Sequence, residues 1–233
     1  MPLILGFDTA TPDTAVAVLD GEEVVHESAL GPGPDGRPLH GPALLGAVEE
    51  AVTVAGGWQA IGRIAVGVGP GSFTGLRIGV ATARALSQAR GLPLVPVPTT
   101  ASLATGIAAA PEASGRDRLA VIDARRGEVF YALDRGDGPG EPRVCAPGQL
   151  GERAGVPGRP APVAAGDGSL RFRSEIEAAG LEVLPDASPA HRVSACQTCR
   201  LGAETEPVEL EKVRPMYLRR PDAERWLERN RRN

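Results

Sequence analysis

The sequence predicts an α/β protein with mixed sheets and crossover helices. Three observations carry that expectation. Short apolar runs of strand length, such as Leu3-Ile4-Leu5-Gly6-Phe7 and Leu94-Val95-Pro96-Val97, alternate with longer stretches whose apolar residues recur at helical spacing. Asp20-Gly21 is a strong hairpin signal, because both central residues of a type I′ turn need positive φ, so antiparallel strands precede the first helix. Thirty Gly and 22 Pro among 233 residues punctuate the chain into many short elements.

Taken in order, strands over residues 3–7, 14–19 and 22–28 form a meander around the polar turn Asp8-Thr9-Ala10-Thr11-Pro12-Asp13 and the hairpin at Asp20-Gly21. After a Gly/Pro loop over 31–38, Leu44, Leu45, Val48, Ala51, Val52 and Ala55 recur as the apolar face of a helix. Residues 63–69 read as a buried strand. Pro70 to Gly75 turn tightly into a second helix that runs to about Arg90, where Gly91-Leu92-Pro93 stops it. A strand over 94–97 completes a β-β-β-α-β-α-β order. The small, polar stretch 108–116 is read as a boundary between lobes, giving divisions of 1–107, 108–202 and a tail, 203–233, that packs back on both. Beyond the boundary, strands over 119–123 and 128–133 form a hairpin across Ala124 to Gly127. Residues 136–168 are Gly/Pro-rich and read as short of core-forming residues. A helix over 170–179, a strand over 181–184 and a helix over 190–201 complete a smaller second lobe.

The formal charge of −4 and pI near 5.5 exclude a chain that grips a nucleic-acid backbone by itself, since that affinity comes from many cation–phosphate contacts. No apolar run reaches the ~20 residues needed to span a bilayer, and the start lacks the basic flank and cleavage site of a signal peptide. The expectation is a cytoplasmic protein that does not enter membranes. Cys145, Cys196 and Cys199 are too few for a disulfide framework, and Cys196-Gln197-Thr198-Cys199 lacks a second ligand pair for structural zinc, which leaves packing as the preferred reading. His26, His40 and His191 form no local ligand pair, so no metal site is expected, and His40 reads as a capping or surface residue.

Gly69-Pro70-Gly71-Ser72-Phe73-Thr74-Gly75 matches neither the Walker loop nor the dinucleotide fingerprint. Its glycines are read as letting a helix begin close to the sheet. On a wheel at ~100° per residue, the apolar or small positions of that helix sweep roughly 260°, too wide for one core face. This predicts burial from two directions, by its own sheet and by either the rest of the chain or another subunit; the second is favoured. The candidate partner interface comprises Leu44, Leu45 and Val48 on the first helix and Leu76, Arg77, Gly79, Val80, Ala83, Arg84 and Leu86 on the second. Asp8, with the hydroxyls of Thr9 and Thr11, could face a phosphate or its metal, or simply shape a turn. Asp123, Arg125, Arg126 and Glu128 form a charged hairpin tip, either closing a cleft or standing in solvent. The tail carries Arg219, Arg220, Arg225, Arg229, Arg231 and Arg232 around Trp226 and Leu227, a solvated helix more than an RNA-binding arm.

The opening I-L-G-F-D-T-A-T-P-D-T-A-V-A-V, the segment G-V-G-P-G-S-F-T-G-L-R-I-G-V-A-T-A-R-A-L, the later I-D-A-R-R-G-E-V-F and P-M-Y-L-R-R together resemble the TsaB (YeaZ-like) family. The resemblance covers most of the chain. It implies an actin-like, sugar-kinase-like (ASKHA) two-lobed fold with the second lobe reduced. It also implies a non-catalytic role in making tRNA N6-threonylcarbamoyladenosine (t6A), through docking to the catalytic paralogue TsaD. Thr99 and Leu103 stand where the resemblance would place the paralogue's H-x-x-x-H metal ligands, and Asp123 to Gly127 replace its Gly-rich phosphate hairpin. The implied partners are a TsaD-like subunit, a TsaE-like ATPase, a second copy when the chain is alone, and tRNA only through the complex. No cofactor is required. Asp8, Thr9, Thr11 and Asp123 are read as residues of a vestigial nucleotide cleft. The alternatives are a metalloprotease-like enzyme and an ATP-dependent kinase-like enzyme of the same fold.

Overall fold

The computed structural model describes residues 2–155 and 158–219, and its core is two five-stranded sheets. The first contains β1 (Leu3–Asp8), β2 (Thr14–Asp20), β3 (Glu23–Leu30), β4 (Ile61–Gly69) and β5 (Leu94–Pro98), in the spatial order β3-β2-β1-β4-β5. β1 pairs antiparallel with β2 and parallel with β4. That mixture follows from joining the first strands by tight turns and the later ones by crossover helices. β1 and β2 read as continuous apolar runs because both faces of the sheet are covered. β3, at the edge, is mostly exposed and carries Glu23 and Glu27, charges that discourage edge-to-edge pairing.

α1 (His40–Val54) and α2 (Phe73–Arg90) cover one face, where Leu44, Val48, Val52, Val80 and Ala83 share a core cluster with Phe7, Val16, Val18 and Ile64. α2 begins at Ser72, whose hydroxyl accepts from Gly75 N at 3.3 Å, and ends at Gly91, whose φ of 65° makes the left-handed cap.

α3 (Thr99–Ala108) follows β5 directly and was not legible in the sequence. Its opening Thr99-Thr100-Ala101-Ser102 has weak helix propensity and no side-chain cap, so the helix is held by burial rather than by local preference. Leu103, Ala104 and Ile107 lie against one face of the second sheet, with Ala120, Ile122, Phe130, Val163 and Ala165. That sheet contains β6 (Arg118–Asp123), β7 (Val129–Asp134), β8 (Arg143–Cys145), β9 (Val163–Ala165) and β10 (Glu182–Val183), ordered β10-β9-β6-β7-β8. Its other face is covered by α4 (Leu150–Ala154) and α6 (Arg173–Ala178), whose Leu150, Ala154 and Ile176 pack with Leu119, Val121, Val129 and Tyr131. α5 (Asp167–Arg171) lies between β9 and α6, so the expected helix over 170–179 is two short helices broken at Phe172.

Two expectations are corrected here. Residues 136–168 are not short of core: Cys145, Leu150, Ala154, Val163, Ala164 and Ala165 are all buried. Strands of three residues and a helix of five are too short to show a period. The helix expected over 190–201 is α7 (Ala195–Glu204), and it packs on the first sheet rather than the second, opposite α1 and α2. Ala195, Cys196 and Cys199 meet Ile4, Ala15, Ala17, Leu19 and Ala65 there. Small residues on both sides permit the approach: Cys199 Sγ donates to Ile4 O at 3.5 Å, and a Cβ on Gly6 would collide with that sulfur. Cys196 and Cys199 therefore serve core packing, the reading preferred in the sequence for want of a second ligand pair.

After α7 the chain returns along the first sheet, with Val208 N donating to Leu94 O at 3.0 Å and Met216 N to Val68 O at 2.7 Å. Leu218 then reaches the second core, and Arg219 Nη1 donates to Ala124 O at 2.9 Å while pairing with Glu128. The remaining tail residues singled out in the sequence lie outside the described residues. Among the described residues no helix is long and apolar enough to cross a membrane.

Gly6→Ala is expected to lower stability by about 1–3 kcal/mol, because the new methyl overpacks a closed helix–sheet contact. In urea unfolding, Cys199→Ala combined with it should recover part of that loss, giving a measurable coupling between the two sites.

Candidate functional site

Asp8 ends β1 and is fully enclosed. Its Oδ1 accepts from Ala10 N at 2.7 Å, and its Oδ2 accepts from Thr99 Oγ1 at 2.7 Å. Thr99 in turn accepts from Gly69 N at 3.1 Å, so one hydroxyl joins the ends of β1, β4 and β5. Gly67 is bare because a Cβ there would collide with the Asp8 carboxylate. Burial pushes the Asp8 carboxyl up to about 6, against the lowering effect of its two hydrogen bonds. Thr9 is also buried, and its Oγ1 donates to Gly75 O at 2.8 Å, while Thr11 is buried beside it. His40 is inside as well, not at the surface as its place before the first helix suggested: its Nδ1 lies 2.8 Å from Thr14 Oγ1, and burial pushes the imidazole down.

Asp123 belongs to a second group, at the end of β6. Its carboxylate accepts from Arg125 N at 2.8 Å and lies 3.1 Å from the Arg125 guanidinium and 3.4 Å from that of Arg171. Asp123 N donates to Asp167 Oδ1 at 3.1 Å. Burial pushes the Asp167 carboxyl up to about 6, with the Asp123 N–H opposing. Arg125 and Arg126 both have positive φ, 62° and 57°, so the hairpin tip turns in a conformation that bulky residues seldom adopt. Among the described residues no hydrogen bond or ion pair links the Asp8 group to the Asp123 group. Asp167 escaped the sequence reading; the Gly166-Asp167-Gly168 triplet closing an Ala-rich run was its available signal. A Cβ on either glycine would collide with the β6 backbone, which is why the carboxylate sits so close to Asp123.

The glycines before and within α2 serve close packing. A Cβ on Gly71 would collide with Ala10, and one on Gly75 or Gly79 with Thr9. This corrects the expected interface. Gly79 abuts the β1–β2 turn of its own chain, and Leu44, Val48, Leu76, Val80 and Ala83 are core residues. At ~100° per residue, the buried positions of α2 span roughly 140°. The opposite arc carries Phe73, Thr74, Arg77, Ile78, Ala81, Arg84, Ala85, Gln88 and Ala89, each exposed or half-buried. Of the residues singled out, Arg77 and Leu45 are exposed and Arg84 and Leu86 half-buried; Leu45, 56% exposed, stands on α1 beside exposed Gly46, Glu49 and Glu50. The wheel missed this because apolar breadth alone does not say which arc the sheet takes.

Two sheets flanked by helices, with a carboxylate ending the first strand of each, define the actin-like, sugar-kinase-like class. The crystal structure of ROK hexokinase from Thermus thermophilus shares the fold, with a TM-score of 0.51 at 15% identity over 86% of this chain and 99% of that one. The structure of an uncharacterized Pseudomonas aeruginosa protein with similarity to peptidase YeaZ matches more closely, at 29% identity and a TM-score of 0.74 over 94% of this chain and all of that one. Residues 37–138 match the family model for TsaD, tRNA N6-adenosine threonylcarbamoyltransferase. The Escherichia coli (strain K12) tRNA threonylcarbamoyladenosine biosynthesis protein TsaB is 33% identical over 93% of this chain and 94% of its own length. The chain belongs to the TsaB family. Thr99 and Leu103, at the positions likened to the catalytic paralogue's metal ligands, are buried: Thr99 holds Asp8 and Leu103 fills the second core.

Raised carboxyl pKa values set the sign of a pH effect. The folded chain binds protons at Asp8 and Asp167 more tightly than the unfolded chain does, so these two groups make stability fall as pH rises from about 4 to about 6. His40, pushed down, acts oppositely below its ordinary value, so a variant comparison isolates the carboxyl effect. Asp8→Asn is expected to be more stable than the parent above pH 6, by up to roughly 3 kcal/mol. Chemical denaturation at pH 4, 5, 6 and 7 checks this; parallel curves for the two proteins contradict it.

Proposed function

We propose that this chain is a non-catalytic, activating subunit of the apparatus that forms t6A on tRNA, and that it docks to a TsaD-type paralogue through the outer face of α1 and α2. The likeness to TsaB over nearly the whole chain supports the pathway, and the likeness of residues 37–138 to the TsaD family supports a paralogous partner. The observation that carries the docking reading is the uncovered face itself. Ala81, Ala85 and Ala89 on α2, with Gly46 on α1, leave a low surface over which another helix can lie closely, and exposed Leu45 adds an apolar side chain beside it. In this reading the same face pairs two copies when the chain is alone, a TsaE-type ATPase joins the assembly, and tRNA meets the complex rather than this acidic chain by itself.

Asp8, Thr9, Thr11 and Asp123 are, in the same reading, remnants of a nucleotide cleft. The polar atoms of Asp8 and Thr9 are taken up by Ala10, Thr99 and Gly75, which supports a scaffold role over a catalytic one. The two sheets are the cores of its two lobes.

The deciding experiment reconstitutes modification from this chain, the TsaD- and TsaE-type proteins of the same organism, a threonylcarbamoyl-adenylate source, ATP and tRNA, leaving out each protein in turn. Modification should need this chain, and this chain alone should give none; activity without the TsaD-type protein would overturn the proposal. Ala85→Arg, at an exposed position, should leave the melting temperature unchanged and weaken pairing at least about tenfold. Val80→Glu should instead unfold the protein, because it buries a carboxylate with no partner at a cost of several kcal/mol.

A further inference from the structure

At its N-terminal turn the outer face of α2 ends in a group of side chains that close helix packing does not explain. Phe73 and Tyr217 are 41% and 42% exposed, with ring centroids 5.3 Å apart. The Arg77 guanidinium carbon lies 3.8 Å from the Phe73 ring centroid, and Arg77 Nε donates to the Tyr217 hydroxyl at 3.1 Å. The chain has only four Phe and two Tyr. One of each stands here in solvent, where it adds nothing to the core. Tyr217 is held in place by the returning tail, through the Met216 N to Val68 O bond and the burial of Val213 in the first core.

Arg77 has no carboxylate partner among the described residues, and α2 contains no Asp or Glu. A guanidinium stacked on one ring and bonded to another has already lost much of its rotamer freedom. Its terminal N–H groups remain as a planar fork matched to a carboxylate. Tyr and Arg are prominent among the residue types that dominate binding energy at protein interfaces, and pre-organisation reduces the entropy lost on binding.

We propose that Phe73, Arg77 and Tyr217 form a pre-organised anchor that receives a carboxylate side chain of the partner subunit. The proposal rests on the docking reading above and adds the group that sets register. Arg77, Ala81 and Ala85 follow one another at i, i+4 and i+8, so the anchor is continuous with the small-residue stripe. A partner helix lying along the stripe passes over the ring pair. The alanines set how closely it approaches, and the ion pair sets where along α2 it stops. A nucleic-acid strand fits less well, since its affinity comes from many phosphate contacts and this stripe is mostly uncharged.

The test is calorimetric titration of the full chain with the TsaD-type protein, comparing the parent with Arg77→Glu, Arg77→Lys, Tyr217→Phe and Ala85→Arg. Arg77→Glu should weaken pairing at least about 100-fold, and Arg77→Lys about tenfold, because an ammonium offers neither fork nor stack. Tyr217→Phe, which keeps the ring and loses the bond to Arg77, should weaken it a few-fold. Parental affinity in Arg77→Glu together with failure of Ala85→Arg rejects the anchor and leaves the docking face standing. Parental affinity in both rejects the docking reading itself. Unchanged pairing with lost tRNA binding by the assembled complex assigns Arg77 to phosphate and overturns the proposal. Should Arg77→Glu melt early, Arg77→Lys and Tyr217→Phe decide, and parental affinity in both overturns it.

Discussion

The approach of α2 to the turn between β1 and β2 constrains the rest of the molecule. Thr9 Oγ1 donates to Gly75 O at 2.8 Å, the bare flanks of Gly71 and Gly75 let the segment touch the turn backbone to backbone, and that of Gly79 makes room for the Thr9 side chain. Each glycine costs conformational entropy. The return is a fixed rotation of α2 about its own axis. With that rotation set, Leu76, Val80 and Ala83 must face the sheet, and Arg77, Ala81 and Ala85 must face away. The uncovered surface on which the functional reading depends is thus a by-product of how the first strand ends.

The same turn places Asp8 where a carboxylate is awkward. It has two hydrogen-bond donors and little else to offset the loss of water. Asp167 beside Asp123 repeats the arrangement in the second sheet, with guanidinium groups close by. Each sheet thus ends its central strand in a carboxylate whose side chain is enclosed. In the first sheet that side chain is spent on internal bonds.

Much of the first sheet was legible because its elements are long enough to show a period and are separated by clear turn chemistry. Asp20-Gly21, the capped start at Ser72 and the stop at Gly91 each have a local cause. The second half was less legible for a physical reason. β8, β9 and β10 are two or three residues long, α3 opens on Thr-Thr-Ala-Ser, and α7 presents Cys196 and Cys199 to a sheet distant in sequence, so tertiary burial overrides local preference at each. At the candidate site, residue types were readable and orientations were not. The wheel showed that α2 is apolar over a wide arc, but only the strand partners decide that Val80 points in and Ala85 out. Asp167 went unread because its role comes from β6, more than forty residues away, and Tyr217 because it acts through Arg77.

The return of the chain along the first sheet has a mechanical side. α3 is one connection between the two sheets. The return from β10 to α7 is another, and the run from Val208 to Arg219 is a third, fastened at Leu94, Val68 and Ala124 in succession. A body with one connection can hinge about it; a body with three is braced. At the last fastening Leu218 packs on the second core and Arg219 holds Ala124 and Glu128. The two sheets are thus tied not only by the chain that runs directly between them but by a strap drawn from the far side of the first sheet, and cutting that strap would remove one of three ties.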